Sequence, residues 1–340
     1  MTTYEIEPGR VNVVGILKGR TGGRSLLLNA HMDTVGVEGM IHDPFGAEIR
    51  AGRLYGRGSQ DMKGSIAAMM AAVKALVDAG TDLSGDLIFT AVADEEHGSI
   101  GTEDLVKHVS ADAAIVTEPT NLTICRAHRG FIWFDVETFG WAAHGSRFNE
   151  GIDANMRMGR FLTQLDVLEQ ELRQRAPHPL VGPPSLHAAR IQGGSEVSIY
   201  AAHCLLQIER RTSPGETVQE ATAEIQAIID RLAEEDSTFK ASQKASFYRS
   251  PFEVEEDARI VQVLADVIAK QTGKPAVYTG QSFWTDAALL ADAGMQTTLI
   301  GPVGAGLHSK EEWVDLQSVY DLAQILGETA IQYCPVSYTH

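Results

Sequence analysis

Leu87-Ile88-Phe89-Thr90-Ala91-Val92, followed closely by Asp94-Glu95-Glu96, is the stretch that decides the fold class of this 340-residue chain. A run with so few polar side chains is typical of a strand that is covered on both faces, as strands of parallel sheets are. A buried strand that ends in consecutive carboxylates is unfavourable unless a positive charge lies beside them. The sequence therefore predicts a cation, most simply a divalent metal ion, at the end of this strand.

The composition is that of a globular protein with a strong acidic excess. Hydrophobic residues make up 44% and charged residues 21% of the chain, and the net charge is −17. So negative a charge argues against nucleic acid or an anionic membrane surface as partner. No run approaches the roughly 18 apolar residues of a membrane helix. No signal peptide is visible, and three scattered cysteines resemble reduced thiols, so we expect a cytoplasmic protein.

Short apolar strands alternate with helices in residues 1–127, which is the pattern of a parallel α/β sheet. We expect strands at 26–28, 87–92 and 113–116, and helices at 62–79 and 103–109. The first helix carries an apolar stripe at helical spacing and is expected to stop at Gly80. The stripe consists of Ile66, Met70, Val73 and Val77.

The middle of the chain, residues 128–247, has a different order of elements. Strands are predicted at 131–138, 186–191, 204–208 and 239–247, and helices at 152–172 and 216–232. This βαββαβ order is the ferredoxin-like arrangement and makes a complete small domain. Residues 248–340 return to the α/β pattern, with helices at 258–271 and 315–333 and a strand at 297–300. We therefore predict one mostly parallel α/β domain, 1–127 plus 248–340, with the ferredoxin-like domain inserted.

Acidic and histidine side chains follow the predicted strands of the α/β domain. Ligands of open parallel sheets bind outside the carboxyl ends of the strands, so these residues can converge although they are far apart in sequence. Histidine and carboxylate ligands suit zinc, manganese or cobalt, and so many groups exceed the needs of one catalytic zinc. Two ions that share a bridging carboxylate would use them all. The set is His31, Asp33, Asp61, Glu95, Glu96, Glu118 and His308.

Each of these residues also has a structural interpretation. A histidine beside an acid is common in protein cores, and Asp61 before a helix could be an N-cap. Glu95 and Glu96 could open a solvated helix, where acids interact well with the helix dipole. Glu118 could be an ordinary loop acid. The joint placement of all of them at strand ends of one domain favours the metal site.

The chain resembles the M20 metallopeptidase family in four motifs that occur in order along nearly its whole length. That family includes acetylornithine deacetylases, succinyl-diaminopimelate desuccinylases, aminoacylases and glutamate carboxypeptidases. Its inserted domain is described as a lid or dimerisation domain. The motifs are His31-Met32-Asp33-Thr34-Val35, Gly56-Arg57-Gly58-Ser59-Gln60-Asp61-Met62-Lys63-Gly64, Asp94-Glu95-Glu96 and His308.

The resemblance implies a role for each site residue. Asp61 would bridge two zinc ions, for which cobalt or manganese could substitute. His31 and Glu118 would complete one ion, and Glu96 with His308 the other. Asp33 would hold the imidazole of His31 in one tautomer. Glu95 would be the general base, which takes a proton from the metal-bound water as the hydroxide attacks an amide carbonyl and then passes it to the leaving amine.

The inserted domain adds three candidates by the same resemblance. His144, in Ala142-Ala143-His144-Gly145-Ser146, would reach the active site of a partner subunit and stabilise the oxyanion. Arg211 would bind a substrate carboxylate. Ser198 stands where the family usually has an asparagine that binds substrate, and Ala201 where many members have proline. A surface-loop histidine and a strand-end salt bridge are the structural alternatives for His144 and Arg211.

The resemblance implies a homodimeric amidohydrolase whose substrate is an N-acyl amino acid or short peptide. Hydrolysis of an N-acyl amino acid is the first expectation, and a dipeptidase or carboxypeptidase is the second. A catalytically silent member that only binds a ligand or partner is the alternative from another class. Family members usually carry several tens of helical residues before the His-x-Asp motif, whereas His31 comes almost at once here. Where such cover is absent, we expect exposed apolar surface beside the sheet.

Overall fold

The computed structural model describes residues 1–335, so the last five residues of the predicted catalytic range lie outside the described part. The chain divides into two compact units. The first comprises Met1–Arg126, Glu253–Gly280 and the chain from Thr285 onward. The second comprises Ala127–Phe252 and Gln281–Trp284. Among the helices formed by residues 1–335, none is long and apolar enough to cross a membrane.

The first part of the chain forms eight strands and two helices. The strands are β1 (Thr2–Glu7), β2 (Arg10–Leu17), β3 (Leu26–His31), β4 (Glu48–Arg50), β5 (Arg53–Tyr55), β6 (Leu87–Val92), β7 (Ala113–Val116) and β8 (Ile124–His128). The helices are α1 (Gly64–Asp78) and α2 (Ile100–Leu105). The three predicted strands are β3, β6 and β7, so the apolar runs identified them correctly. The sequence patterns did not indicate the other five strands.

The remainder of the chain adds nine strands and five helices in its described residues. Its middle part contains β9 (Gly130–Phe139), α3 (Ala154–Gln174), β10 (Ser185–Gly193), β11 (His203–Thr212), α4 (Val218–Glu235) and β12 (Lys240–Arg249). After it come β13 (Phe252–Glu253), α5 (Arg259–Thr272), β14 (Tyr278–Gln281), α6 (Ala287–Asp292), β15 (Gln296–Leu299), β16 (Gly304–Ala305), β17 (Trp313–Asp315) and α7 (Leu316–Tyr333).

The large sheet has a parallel centre, as the alternation of strands and helices predicts. Its strand order is β1-β2-β6-β3-β7-β15-β8-β13, and β14 pairs with β8. The four strands β6, β3, β7 and β15 are parallel to one another. The flanking pairs β2–β6 and β15–β8 are antiparallel. All residues of β3 and β7 are buried, so the carboxyl ends of covered strands lie side by side.

Helix α1 differs from its prediction in start and in orientation. It begins at Gly64, because Ser59–Lys63 forms an irregular turn, and it ends just before Gly80, which has a left-handed backbone (φ 64°). The predicted apolar stripe lines a groove of about 600 Å³ beside β2 and β6. Met70 is 60% and Val77 55% exposed, whereas the buried face carries Met69 and Leu76. This groove leaves apolar side chains of α1 partly exposed beside β2 and β6.

The second unit has its own sheet and its own core. The strands follow the order β10-β11-β9-β12, and the helices α3 and α4 cover one face. Side chains alternate along β9, so that Ile132, Phe134 and Val136 enter the core. Asp153 caps the start of α3, and Thr217 forms a capping box with Glu220 at the start of α4. These caps satisfy backbone N–H groups that a helix start otherwise leaves without partners.

Candidate metal centre

His31 ends strand β3 and is almost fully buried, with 1% of its surface exposed. Its Nδ1 lies 3.0 Å from the backbone carbonyl oxygen of Asp33. A carbonyl oxygen can only accept, so Nδ1 carries a proton, and Nε2 is the nitrogen that faces the carboxylates. The carboxylate of Asp33 is farther from Nδ1, at 3.7 Å. The main-chain carbonyl of Asp33 therefore makes a closer contact to the ring than its carboxylate does.

Asp61 presents its two carboxylate oxygens to two different histidines. Its Oδ1 lies 3.0 Å from Nε2 of His31, and its Oδ2 lies 3.4 Å from Nε2 of His308. Asp61 is not the N-cap of α1, because that helix begins after Lys63 without a side-chain cap. The arrangement is the one that a carboxylate bridging two cations requires.

Glu118 lies beside the first of these histidines and Glu96 beside the second. Glu118 follows β7, and its Oε1 is 3.7 Å from Nε2 of His31. Glu96 follows β6, and its Oε2 is 3.0 Å from Nε2 of His308. Each histidine therefore has at least one further carboxylate nearby in addition to an oxygen of Asp61. The described residues offer two adjacent sets of nitrogen and oxygen ligands.

Glu95 is close enough to His31 and Glu118 that geometry alone does not separate a base from a ligand. Its Oε2 lies 4.0 Å from Nε2 of His31, and its side chain is 10% exposed. Ligand atoms of His31, Glu95 and Glu118 all lie within 4.8 Å of one another, as do those of His31, Asp61 and Glu96. Glu95 is thus beside the candidate centre and not part of a solvated helix.

The side chain of Asp33 fixes the backbone of the acid pair. Its carboxylate accepts hydrogen bonds from the backbone N–H groups of Glu95 (3.2 Å) and Glu96 (3.1 Å). Asp94 precedes them in a left-handed conformation (φ 70°), which turns the chain at the end of the strand. The carboxylate of Asp94 pairs with Arg10. Asp33 and Asp94 together determine where the two glutamate side chains begin.

The buried carboxylates hold protons more strongly than usual. Burial raises the pKa of Glu95 and of Glu118 well above the usual range. Negative neighbours add to this effect, since Glu118 raises the pKa of Glu95 and Asp61 raises that of Glu118. These shifts indicate a site with more buried negative charge than its own residues neutralise.

The pKa values of the two histidines are also raised, which favours their charged form. Burial alone would lower the pKa of His31, but the hydrogen bond to Asp61 and the charges of Glu118 and Glu95 raise it well above its usual range. Hydrogen bonds to Asp61 and Glu96 raise the pKa of His308 to about 10. Both histidines are thus drawn toward the charged form by carboxylates that could equally bind a cation.

The donor set fits divalent metal ions. It combines imidazole nitrogens with carboxylate oxygens and no thiolate, and such ligands suit zinc, cobalt and manganese. One carboxylate oxygen of Glu96, Oε1, is buried and has no hydrogen-bond partner. A buried carboxylate oxygen of this kind needs a positive partner. The described residues could therefore hold a metal, and their types do not distinguish among these ions.

Two further carboxylates near the centre were not predicted from the sequence as site residues. Asp286 accepts a hydrogen bond from Oγ1 of Thr102 (2.6 Å), and burial raises its pKa to about 6. Glu312 is 1% exposed and pairs with Arg57 at 2.7 Å. Arg57 belongs to a quoted motif, but no pattern around Glu312 indicated that it is buried. Both acids come from the last third of the chain, in which His308 was the only predicted site residue.

The second unit brings His144 and Ser198 together. His144 forms an isolated bridge with Ile199, and the N–H of Gly145 donates to the carbonyl of Ser198 at 2.7 Å. His144 is exposed, and its Nδ1 lies 2.8 Å from the hydroxyl of Ser146. Two candidates that are 54 positions apart therefore share one pair of loops. Their roles remain predictions.

Arg211 lies on β11 beside an aromatic cluster of the same unit. Its guanidinium carbon is 5.5 Å from the ring centre of Phe131, and its Nη2 donates to the carbonyl of Ser282 at 3.0 Å. Its nearest carboxylate contact is Glu209, at 3.6 Å. That distance is long for a strong ion pair, so Arg211 keeps donor capacity for another acceptor. Its role in substrate binding remains a prediction.

Comparison with known proteins assigns the family. The profile of Peptidase family M20/M25/M40 matches residues 27–332. The chain belongs to this family. It is therefore a hydrolase that acts on amide C–N bonds, as the resemblance of its motifs implies. The match begins within β3 and ends within α7, so it includes every residue of the candidate centre.

Two curated relatives cover almost the whole chain. N-formyl-4-amino-5-aminomethyl-2-methylpyrimidine deformylase of Bacillus subtilis is 30% identical over 363 residues, which span 97% of this chain and 85% of the relative. Acetylornithine deacetylase of Myxococcus xanthus is 29% identical over 335 residues, which span 96% of this chain and 84% of the relative. This M20 chain is thus similar to enzymes that are named for removing a small acyl group.

Solved structures of the family share the fold. Aminopeptidase PepT from Bacillus cereus has a TM-score of 0.76 at 18% identity, with 95% of this chain and 84% of that chain covered. The YxeP protein of Bacillus subtilis, described as a dinuclear metal binding peptidase, has a TM-score of 0.75 at 15% identity, with 99% and 88% covered. At these identities the likeness concerns the fold alone.

Proposed function

We propose that this M20 family hydrolase uses two zinc ions to cleave the amide bond of an N-acyl amino acid. The observation that carries the proposal is the carboxylate of Asp61, which faces His31 with one oxygen and His308 with the other. Glu118 and Glu96 supply one further acid to each side. Cobalt or manganese would fit the same ligands, because all three ions accept imidazole and carboxylate.

The bound ions would supply a water of lowered pKa and would polarise the carbonyl of the substrate. The protein's own contribution is the proton transfer by Glu95. Its buried carboxyl has a raised pKa, which suits a group that takes up a proton and later releases it. In this proposal Glu95 accepts the proton of the attacking water and then delivers it to the nitrogen of the leaving amine. Asp33 keeps that carboxyl in place through the backbone N–H of Glu95.

The preference for a small acyl group rests on the two curated relatives. One is named for removing a formyl group and the other for removing an acetyl group. We assign the carboxylate of the amino acid to Arg211, whose planar guanidinium can bind both oxygens of a carboxylate. Ser198, in place of the asparagine usual in the family, would contact the substrate with its hydroxyl.

We further propose that the second unit serves as lid and dimerisation domain, and that His144 completes the site of a partner subunit. The exposed position of His144 leaves its ring available for such a contact. The outer strand β10 is exposed along most of its length, which makes it suitable for pairing with a second copy. The three cysteines are buried thiols that no disulfide joins in the described residues, and we propose a reducing, cytoplasmic location on this ground.

A substrate panel tests the proposal. Protein reconstituted with zinc is assayed on N-formyl, N-acetyl, N-succinyl and N-carbamoyl amino acids beside dipeptides. The proposal expects the highest kcat/KM with an N-acyl amino acid. A dipeptide as the best substrate would favour the peptidase alternative. Protein that binds both ions and turns over no member of the panel would favour the silent, ligand-binding alternative.

A further inference from the structure

The loop that carries Asp61 has no regular secondary structure of its own. Residues Ser59–Lys63 form an irregular turn in which Asp61 and Met62 have non-helical backbone angles. A carboxylate on such a loop holds a fixed position only if other groups hold the loop. The small sheet β16-β17-β5-β4 brings these groups together. Trp313 on β17 pairs with Tyr55 on β5, so Glu312 lies next to the start of the loop.

The carboxylate of Glu312 accepts four hydrogen bonds from this loop and from the two residues before it. Its Oε2 accepts hydrogen bonds from Nη1 of Arg57 (2.7 Å) and from the backbone N–H of Gly58 (3.0 Å). Its Oε1 accepts from the backbone N–H groups of Gln60 (3.0 Å) and Asp61 (3.1 Å). A carboxylate offers about four acceptor positions, and here all four are occupied. One of the four donors is the backbone of the predicted bridging ligand itself.

Arg57 connects the same carboxylate to the other ligand segments. Its Nε donates to the carbonyl of Gly36 (3.0 Å), three residues after Asp33. Its Nη2 donates to the carbonyl of Ser309 (3.0 Å), the residue after His308. Both members of the pair are buried. A buried ion pair is costly unless it is fully hydrogen-bonded, and one that is fully bonded favours a single arrangement of the segments it joins.

We propose that Glu312, together with Arg57, is the positioning residue that holds Asp61 in the geometry needed to bridge two metal ions. The inference rests on the proposed metal function, because the bridge has no purpose without the ions. Within residues 1–335, the carboxylate of Glu312 makes no hydrogen bond or ion pair with a side chain of the candidate centre. It acts through the backbone N–H groups of Gln60 and Asp61, and through Arg57.

Glu312→Gln is the sharpest variant, since it keeps the size of the side chain and replaces one acceptor oxygen by a donor amide. Either orientation of the amide places an NH₂ group against two donors, so two of the four hydrogen bonds are lost. Loss of a group that orients metal ligands weakens metal binding by about 10- to 100-fold. We expect a loss of this size in the affinity for zinc or cobalt.

Two matched variants separate this role from general effects. Glu311→Gln makes the same chemical change at the exposed neighbouring position and should bind metal like the wild type. Arg57→Lys keeps a cation for Glu312 and leaves the three backbone N–H bonds intact, but it loses the carbonyl contacts at Gly36 and Ser309. It should bind metal more weakly than wild type and more tightly than Glu312→Gln.

Metal affinity is measured by titrating metal-free protein with cobalt and following the absorption of the bound ion, at a temperature where circular dichroism shows each variant folded. The inference predicts the order wild type and Glu311→Gln, then Arg57→Lys, then Glu312→Gln, with a changed cobalt spectrum for the last. Folded Glu312→Gln with wild-type affinity and spectrum would overturn it. Equal losses in Arg57→Lys and Glu312→Gln would also contradict the role of the backbone contacts.

Amide hydrogen exchange of the metal-free wild type provides a test that needs no variant. The inference predicts slow exchange for the amides of Gly58, Gln60 and Asp61, since Glu312 accepts all three. Exchange at the rate of an unprotected loop would contradict it, even if Glu312→Gln failed to fold. Wild-type protein that binds no cobalt would refute the proposed function. The exchange measurement needs no metal, so it would still test whether Glu312 holds the loop.

Discussion

The carboxylate of Asp33 accepts a hydrogen bond from the backbone N–H of Glu96 at 3.1 Å. A residue that follows strand β3 thereby fixes the chain direction at the end of strand β6, which is its parallel neighbour. The side chains of Glu95 and Glu96 start from this fixed backbone and point to different partners. Glu96 approaches His308, whereas Glu95 approaches His31. The first prediction concerns this division of the acid pair.

Glu95→Gln should abolish most turnover and leave metal content unchanged. An amide cannot accept the proton of the attacking water, and loss of a general base costs roughly 10²- to 10⁴-fold in rate. The readouts are kcat on the best N-acyl substrate and metal content by elemental analysis. His97→Gln, at the exposed neighbouring position, serves as control and should behave like the wild type. Loss of metal from Glu95→Gln in proportion to activity would show that Glu95 is a ligand.

Glu118→Gln and Glu96→Gln should each weaken a different ion. Glu118 is close to His31 and Glu96 to His308, so each variant leaves one ligand set intact. Asp61→Asn should weaken both ions, because its oxygens face both histidines. Titration with cobalt should show one tight site in either glutamate variant and no tight site in Asp61→Asn. Identical losses in all three variants would contradict two separate ligand sets.

Arg211→Ala should lower kcat/KM for N-acyl amino acids by about 10- to 100-fold, since a hydrogen bond to a charged group contributes roughly 1.5–3 kcal/mol. The effect should appear mainly in KM if Arg211 binds the carboxylate equally in ground and transition states. A substrate whose carboxylate is replaced by an amide should discriminate little between wild type and variant. Arg173→Ala, at an exposed position of α3, is the control. Equal losses with both substrates would assign Arg211 to structure.

Asp236→Asn should lower the melting temperature at pH 7, by a difference that disappears in acid. Hydrogen bonds from the hydroxyl and N–H of Thr238 and from Arg160 lower the pKa of Asp236 from 3.8 to about 2. Because the folded pKa is depressed, its contribution to stability is complete above about pH 5 and is lost as the pH falls through 4 toward 2. Thermal melts of both proteins between pH 2 and 7 check this. A difference that stays constant across that range would contradict it.

The sequence predicted the parallel centre of the sheet because its strands are nearly all apolar. Strands β3, β6 and β7 are almost entirely buried, and only Asn29 and Thr90, which are hydrogen-bonded to each other at 2.7 Å, interrupt their apolar runs before the last residue of β3. The carboxyl ends of these strands lie side by side by geometry alone. His31, Glu95, Glu96 and Glu118 therefore come together as expected. The assignment of each acid to one role came from the family resemblance, and not from the apolar pattern.

The parts that the sequence did not reveal depend on contacts between distant segments. Glu312 meets Arg57 only because the two short strands β5 and β17 pair, and strands of three residues carry no readable periodicity. The apolar stripe of α1 followed the helical period correctly, yet the neighbouring face, which carries Ser65, Ala68, Met69, Ala72 and Leu76, is the one that packs inward. Apolar residues occur on both faces of this helix, so the helical period alone did not decide which face is buried.

The metal content of the wild-type protein tests the central claim most directly. The protein is stripped with a chelator, reconstituted with zinc, freed of excess metal and measured by elemental analysis beside the Asp61→Asn variant. The account predicts close to two zinc ions per chain for the wild type. It predicts a large loss from the variant, because the single carboxylate of Asp61 faces both histidines. A folded wild-type protein that retains no zinc, or an Asp61→Asn variant that retains both ions, would contradict the account.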